Sequence, residues 1–206
     1  MRYSDALCHV TAAIAIAFTL GACASYDPRL NDRNTVYLGT GGPVIDPSVK
    51  ESLALKKSYW DDSGITGPPS IVINLSKQTA SFYKGSKLVG VSAISSGREG
   101  FDTPAGSFKI MQKDFAHASN LYGDYVDASG NVVVKNVDVK KDPRPAGATF
   151  RGAPMPYFMR ITGGVGMHQG FLPGVPDSHG CIRMPEKMAR LYWDNAPLGT
   201  PVIVEY

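Results

Sequence analysis

One short stretch of this sequence combines the residue types that a cysteine enzyme needs. Ser178, His179, Gly180 and Cys181 are consecutive, and His168 lies 13 residues before the cysteine. A thiol attacks a carbonyl carbon efficiently when a base takes its proton and hydrogen-bond donors hold the oxyanion that forms. Since the two histidines are candidate bases, the pattern predicts that Cys181 is a nucleophile.

The spacing favours His168 over His179 as the base. A side chain two residues from Cys181 in an extended turn usually points elsewhere, whereas a residue 13 positions away can be brought across from another strand. Gly180 has no Cβ to block the close approach of a substrate. We expect the backbone N–H groups of Gly180 and Cys181 to form an oxyanion hole.

The elements that position these residues begin near residue 71, where short β-rich segments alternate with turns. A hairpin is expected around residues 127–131, and one helix is expected at 185–193, with Pro185 in its first turn. We therefore predict a mostly β domain over residues 70–206. Further strands are predicted at 71–75, 79–83, 87–95, 108–112, 157–162 and 202–205.

The N-terminal residues are of a different kind. An apolar run at 10–20 has about half the roughly 20 residues that cross a bilayer, which is typical of a signal peptide. It ends in a stretch that resembles the bacterial lipobox, so we predict a lipoprotein signal peptide at 1–22 and lipidation of Cys23. The alternative is an ordinary signal peptide cleaved at the same small residues.

Residues 23–69 are rich in Gly, Pro, Asn and Asp and are predicted to be a lipid-anchored tether, with a possible short helix at 48–57. We expect the protein to be exported and periplasmic. Ala24, rather than Asp, after Cys23 favours the outer membrane by analogy with lipoprotein sorting. After processing, Cys181 has no possible disulfide partner within the chain, which is easier to understand if the thiol does chemistry.

The composition argues against a nucleic-acid partner. The chain has 21 Lys and Arg against 18 Asp and Glu, a net charge of +3, and no long basic run. Its length suits one domain of ordinary size with extra segments.

The sequence resembles the L,D-transpeptidase (YkuD) family, whose hallmark is a histidine followed at a distance by Ser/Thr-His-Gly-Cys, a hydrophobic residue and Arg or Asn. Here His168 precedes Ser178, His179, Gly180, Cys181, Ile182 and Arg183. The segment 103–108 looks like the family's Thr-Pro-x-Gly-x-Phe, and 155–157 and 167–168 look like its Met-Pro-Tyr and Met-His stretches.

That resemblance implies a β-sandwich or barrel-like catalytic domain with one or two short helices, acting on peptidoglycan stem peptides through a thioester at Cys181. It implies that His168 accepts the proton and that the backbone carbonyl of Gln169 orients its imidazole. It also implies no cofactor, no metal, and carbapenem β-lactams as covalent inhibitors. The residues expected to shape the pocket are Ser178, His179, Gly180, Arg183 and Gln169.

Three alternatives stay open at this point. The same fold can serve an L,D-carboxypeptidase or an amidase, depending on the group that accepts the acyl chain. A degenerate domain can bind peptidoglycan without catalysis, a hypothesis that a low-pKa, readily alkylated Cys181 would argue against. His168, His179 and Cys181 can also be zinc ligands, with Asp177 as a fourth, although structural zinc sites usually contain paired cysteines. Arg183 is either a surface charge or a clamp for a substrate carboxylate.

Overall fold

A computed structural model describes residues 58–206, whose elements are thirteen strands and one α-helix. The mostly β fold class is confirmed. The signal peptide 1–22, Cys23 and the possible helix at 48–57 lie outside the described residues. In chain order the elements are β1 (Tyr59–Trp60), β2 (Pro69–Asn74), β3 (Thr79–Lys84), β4 (Lys87–Ala93), β5 (Gly106–Lys109), β6 (Gln112–Asp114), β7 (Ala118–Val126), β8 (Val132–Asp138), β9 (Thr149–Pro154), β10 (Phe158–Thr162), β11 (Val165–Gln169), β12 (Ile182–Met184), α1 (Glu186–Asn195) and β13 (Pro201–Glu205).

The largest sheet has the strand order β1-β4-β3-β2-β13-β5. Strands β2, β3 and β4 are consecutive and antiparallel, joined by tight turns, one of which has Gly85 at a φ of 59°. The C-terminal strand β13 pairs in parallel with β2 and antiparallel with β5. Because alternate residues of a strand face opposite sides, Ile71, Ile73, Val202 and Val204 all reach the core.

A second sheet, with the order β12-β11-β10-β6, carries the residues of interest. Strands β10 and β11 form a hairpin, whereas β11 and β12 are parallel. Parallel neighbours need a long crossover connection rather than a tight turn. That crossover ends at Cys181, which therefore arrives at the start of β12, beside the strand that holds His168.

The strand predicted at 108–112 is two strands, and the chain changes sheets between them. The N–H of Ile110 donates to the carbonyl of Thr200 at 3.0 Å, whereas the N–H of Met111 donates to the carbonyl of Arg160 at 2.9 Å. One continuous segment therefore forms the edge of the first sheet as β5 and the edge of the second as β6.

A third sheet, with the order β8-β7-β9, has a small core of its own formed by Tyr125, Val137 and Ala148. The expected hairpin lies here, with Asp127 accepting backbone hydrogen bonds from Ser129 and Asn131 in the turn. The main core lies elsewhere, where α1 buries Met188, Ala189 and Tyr192.

Residues 58–69, which the composition assigned to the tether, are part of the folded domain. Strand β1 pairs with β4, and the Trp60 ring lies 4.9 Å from Phe82 and 5.8 Å from Tyr192. The composition is rich in turn formers here, but the large apolar surface of Trp60 favours burial. The folded domain therefore starts before Ser70, the predicted boundary, which itself lies inside β2.

We expect Trp60→Ala to lower the stability of the domain substantially. Removing a half-buried tryptophan from this aromatic cluster costs about 3 kcal/mol, which corresponds to a fall in Tm of roughly 6–12 °C for a domain of this size. Thermal unfolding followed by circular dichroism measures it. The matched control is Tyr59→Ala, since Tyr59 is 50% exposed on the same strand. Equal losses from the two substitutions would show that Trp60 is not part of the core.

Candidate active site

The register of β11 and β12 places His168 and Cys181 on the same face of the second sheet. Met167 is the partner of Ile182, and both are fully buried in the core. Because side chains alternate along a strand, His168 and its partner Arg183 point to the opposite face, as does Cys181 just before Ile182. The structure therefore brings the two candidate catalytic residues together on neighbouring chain segments.

His168 is held as a neutral base. Its Nδ1 lies 2.7 Å from the carbonyl oxygen of Gln169. A carbonyl only accepts hydrogen bonds, so Nδ1 carries the proton and Nε2 is left with a free lone pair. Burial lowers the pKa of His168 to about 4, with Arg183 and His117 acting in the same direction and the Gln169 carbonyl opposing them. The imidazole is thus neutral at pH 7.

The Cys181 thiol is also neutral at rest. Its sulfur lies 3.6 Å from the carbonyl oxygen of Gly164, a weak hydrogen bond. Burial raises the pKa of Cys181, whereas the Gly166 N–H and the charges of Arg183 and Arg160 act in the opposite direction. The low thiol pKa considered above is therefore not found. With the thiol and the imidazole both neutral, Cys181 and His168 do not form a thiolate–imidazolium ion pair at rest.

Ser178 and Thr103 fix the turn that carries Cys181. The Ser178 hydroxyl donates to the carbonyl of Cys181 at 2.5 Å, and Thr103 Oγ1 donates to the carbonyl of Gly180 at 2.8 Å. Thr103 Oγ1 also accepts the N–H of Gly97 at 2.9 Å. Gly180 has a φ of 109°, a conformation that favours glycine. These contacts give the turn one conformation.

Gly180 is less well placed to donate to an oxyanion than the sequence predicted. Its N–H already donates to the Ser178 hydroxyl at 3.0 Å, and this bond is buried. A donor that is engaged and shielded from solvent is poorly placed to bind a new anion. Within residues 58–206 no partner is present for the N–H of Cys181, which remains the candidate oxyanion donor.

Arg183 is not a free clamp for a substrate carboxylate. Its guanidinium donates to Asp177 Oδ2 at 2.8 Å and to the Asp177 carbonyl at 3.2 Å. A third contact, at 3.5 Å, reaches the carbonyl of Phe171. Arg183 therefore stabilises the crossover loop that leads to Cys181. This role is neither the surface charge nor the carboxylate clamp that the sequence suggested.

His179 lies outside the catalytic pair. Its Nε2 is 2.8 Å from a guanidinium nitrogen of Arg98, and its ring stacks on Tyr122 at 4.0 Å and meets the edge of Phe101 at 4.7 Å. Of the possible zinc ligands, His179 is thus bound to Arg98 and Asp177 to Arg183. Among the described residues, no three His, Cys, Asp or Glu side chains come together as a metal site.

Sequence reasoning missed the loop before β5 as a part of the site. Its backbone is hydrogen-bonded to the segment that leads to Cys181. The Ser96 carbonyl accepts the N–H groups of Asp177 and Ser178, and the N–H of Arg98 donates to the Ser178 carbonyl. Gly97 is required there, because a Cβ would lie 1.9 Å from the carbonyl oxygen of Phe101. The available signal was the Thr-Pro-x-Gly-x-Phe segment, which begins at Thr103.

The sequence model of the YkuD family, the L,D-transpeptidase catalytic domain, matches residues 68–204. This chain therefore belongs to the YkuD family. An L,D-transpeptidase from Mycobacterium smegmatis superposes with a TM-score of 0.51 at 21% identity, covering 68% of this chain and 59% of that one. This likeness shows the fold. A search of curated protein sequences finds no match.

Two further solved structures are similar over the same share of this chain. L,D-transpeptidase 1 of Mycobacterium tuberculosis has a TM-score of 0.48 at 22% identity, with 68% of this chain and 62% of that one covered. A Cys-to-Ser mutant of an Enterococcus faecium L,D-transpeptidase has a TM-score of 0.49 at 26% identity, with 68% and 50% covered. The present chain thus spans between half and two thirds of these proteins. Within the described residues, no helix is long and apolar enough to cross a membrane.

Proposed function

We propose that this protein is a cysteine L,D-transpeptidase that acts on peptidoglycan stem tetrapeptides. Family membership supports the reaction class. The observation that carries the assignment of residues is the buried His168, whose Nδ1 is bonded to the Gln169 carbonyl and whose Nε2 has no partner within residues 58–206, on the same sheet face as Cys181. Such a pair can pass one proton from thiol to leaving group, which acyl transfer requires.

In the proposed first half-reaction, Cys181 Sγ attacks the carbonyl carbon at the L-centre of diaminopimelate, and its proton passes to His168 Nε2. The N–H of Cys181 stabilises the oxyanion of the tetrahedral intermediate. The C–N bond to D-Ala then breaks, and the departing amine takes the proton back from His168. A thioester on Cys181 and free D-Ala result.

In the second half-reaction, an amine of another stem attacks the thioester and returns the thiol. His168 again takes the proton of the attacking group and gives it to sulfur. If another diaminopimelate supplies the amine, the product is a cross-link. If a protein supplies it, that protein becomes attached to the wall, and water as acceptor gives an L,D-carboxypeptidase.

Mass spectrometry of muropeptides incubated with the protein tests this proposal. A transpeptidase produces cross-linked dimers together with released D-Ala, whereas a carboxypeptidase releases D-Ala with tripeptides only. No change in any muropeptide would contradict the proposed activity and favour a peptidoglycan-binding protein. Carbapenems are the matched probe, because their strained ring carbonyl should acylate Cys181 and add its mass to the chain.

We further propose that Cys23 carries lipid and holds the domain at the periplasmic side of a membrane. The support is the sequence of residues 20–23, preceded by the apolar run. Two or three acyl chains bind a membrane stably, since each buried methylene contributes about 0.8 kcal/mol. Cys23→Ser should abolish the incorporation of labelled palmitate, whereas Cys181→Ser, the matched control, should keep it. Label that persists in Cys23→Ser would contradict the lipobox assignment.

A further inference from the structure

Arg98 lies against the segment that carries Cys181. Its backbone N–H donates to the Ser178 carbonyl at 3.0 Å, and a guanidinium nitrogen lies 2.8 Å from His179 Nε2. The guanidinium carbon is 4.5 Å from the centre of the Phe101 ring, a distance that suits a cation–π contact. Backbone and side chain of Arg98 are therefore both fixed within three residues of Cys181.

The contact with Arg98 determines the state of His179. A guanidinium only donates hydrogen bonds, so His179 Nε2 accepts and its proton resides on Nδ1. Burial and the neighbouring charge of Arg98 both lower the pKa of His179. The Tyr122 and Phe101 rings hold the imidazole from two sides. His179 is thus a neutral hydrogen-bond acceptor that orients the Arg98 guanidinium.

Arg98 has no carboxylate partner within residues 58–206. By contrast, Arg183 pairs with Asp177 at 2.8 Å and Arg151 with Asp124 at 3.7 Å. No buried side-chain nitrogen or oxygen in the described part of the chain lacks a hydrogen-bond partner, so the remaining N–H groups of Arg98 reach solvent. A second cation, Lys141, lies with Nζ 5.7 Å from the same Phe101 ring but is paired with Asp138 Oδ2 at 3.6 Å, which leaves the charge of Arg98 as the unpaired one of the two. The half-buried guanidinium is a preorganised site for an anion.

We propose that Arg98 binds a carboxylate of the donor peptide and that His179 positions it for that contact. This inference rests on the proposed function. A guanidinium pairs with a carboxylate through two parallel hydrogen bonds, which fixes the orientation of the bound peptide. In a stem tetrapeptide, the carboxylates nearest the scissile carbonyl belong to the terminal D-Ala and to the side chain of diaminopimelate. Arg98, and not the paired Arg183, provides the complementary charge.

The test compares three peptides: the tetrapeptide, the same peptide with a C-terminal carboxamide, and the peptide amidated on the diaminopimelate side chain. For the native protein, one of the two amidations should lower kcat/KM by roughly 10- to 100-fold, the effect of losing a hydrogen bond to a charged group. In Arg98→Gln, the tetrapeptide should show that same loss and the amidation should have no further effect. The matched control is Arg190→Gln on α1, which removes an equal charge at an exposed position.

Amidation penalties in Arg98→Gln that equal those of the native protein would overturn the inference, as would an equal loss in Arg190→Gln. The positioning role of His179 is tested by His179→Gln, which should raise KM for the tetrapeptide while kcat changes little. Nitrogen NMR of the His179 imidazole gives a readout separate from activity, because its Nε2 signal should shift when Arg98 is replaced. An unchanged signal would contradict the proposed contact.

Peptide binding to Cys181→Ala, measured by calorimetry, separates this inference from the proposed reaction. If the native protein turns over no peptide, but binding weakens on amidation only when Arg98 is present, the reaction is wrong and the carboxylate site stands. If turnover occurs and the affinity for the peptide is unchanged by either amidation, the reaction stands and Arg98 has no role in recognition.

Discussion

Cys181→Ala is expected to abolish acyl transfer while the domain remains folded. In the proposed reaction the sulfur is the atom that forms the thioester, and no other cysteine lies within residues 58–206 to replace it. Loss of a nucleophile costs on the order of 10⁴-fold or more in kcat in enzymes that use covalent catalysis. Cys181 is half-buried, so shortening its side chain should change the free energy of unfolding by only about 1 kcal/mol.

The measurement is the mass of the protein after incubation with a carbapenem, together with D-Ala release from the tetrapeptide. Cys181→Ser is the matched variant, since it keeps a small polar side chain in the same turn but provides a much weaker nucleophile. D-Ala release by Cys181→Ala at the native rate would show that the nucleophile has been misassigned. A normal circular dichroism spectrum of both variants excludes misfolding as the cause of a loss.

Local sequence signals predicted elements whose apolar pattern or bounding turns can be read within one stretch of sequence. The strands β2, β3 and β4 follow one another through short turns, and α1 shows its buried stripe in one stretch of sequence. Strands β11 and β12 were not predicted, because a three-residue strand such as β12 has no readable period. Their parallel pairing arises only when the crossover between them closes.

The same distinction applies to the site. Cys181 and His168 were predicted from residue types and spacing, but the contacts of Arg98 and Thr103 join residues 81 and 77 positions apart. No pattern within a single sequence indicates such pairs. The engagement of the Gly180 N–H was readable in principle, because a serine hydroxyl often binds the backbone N–H two residues further on. That local bond should have removed Gly180 from the predicted oxyanion hole.

The last expected result concerns the two histidines. His168→Gln should slow the acylation of Cys181 by a carbapenem by roughly 10²- to 10⁴-fold, because it removes a general base. Glutamine is the matched substitution, since its amide keeps a donor near the Gln169 carbonyl. His179→Gln should affect this step less, because His179 Nε2 is already bound to Arg98. Equal or reversed losses would show that the histidine roles are exchanged.

The pH dependence of the same reaction gives an independent check. With the pKa of His168 lowered to about 4, the base is still mostly neutral at pH 5. Acylation by the native protein should therefore fall less than about twofold between pH 7 and pH 5, whereas a base with an ordinary pKa near 6.5 would lose about 25-fold. A loss of that larger size in a folded protein would contradict the buried neutral base.

Stability must be followed across the same range. The unfolded chain binds a proton at His168 near pH 6.5, whereas the folded protein does so only near pH 4. The unfolded state therefore gains protons first as the pH falls, and the domain loses on the order of 2 kcal/mol by pH 5. In His168→Gln this part of the acid destabilisation should disappear, so urea unfolding at pH 7 and pH 5 separates loss of fold from loss of base. If acidification lowers the free energy of unfolding equally in the native protein and in His168→Gln, His168 is not buried as a neutral imidazole.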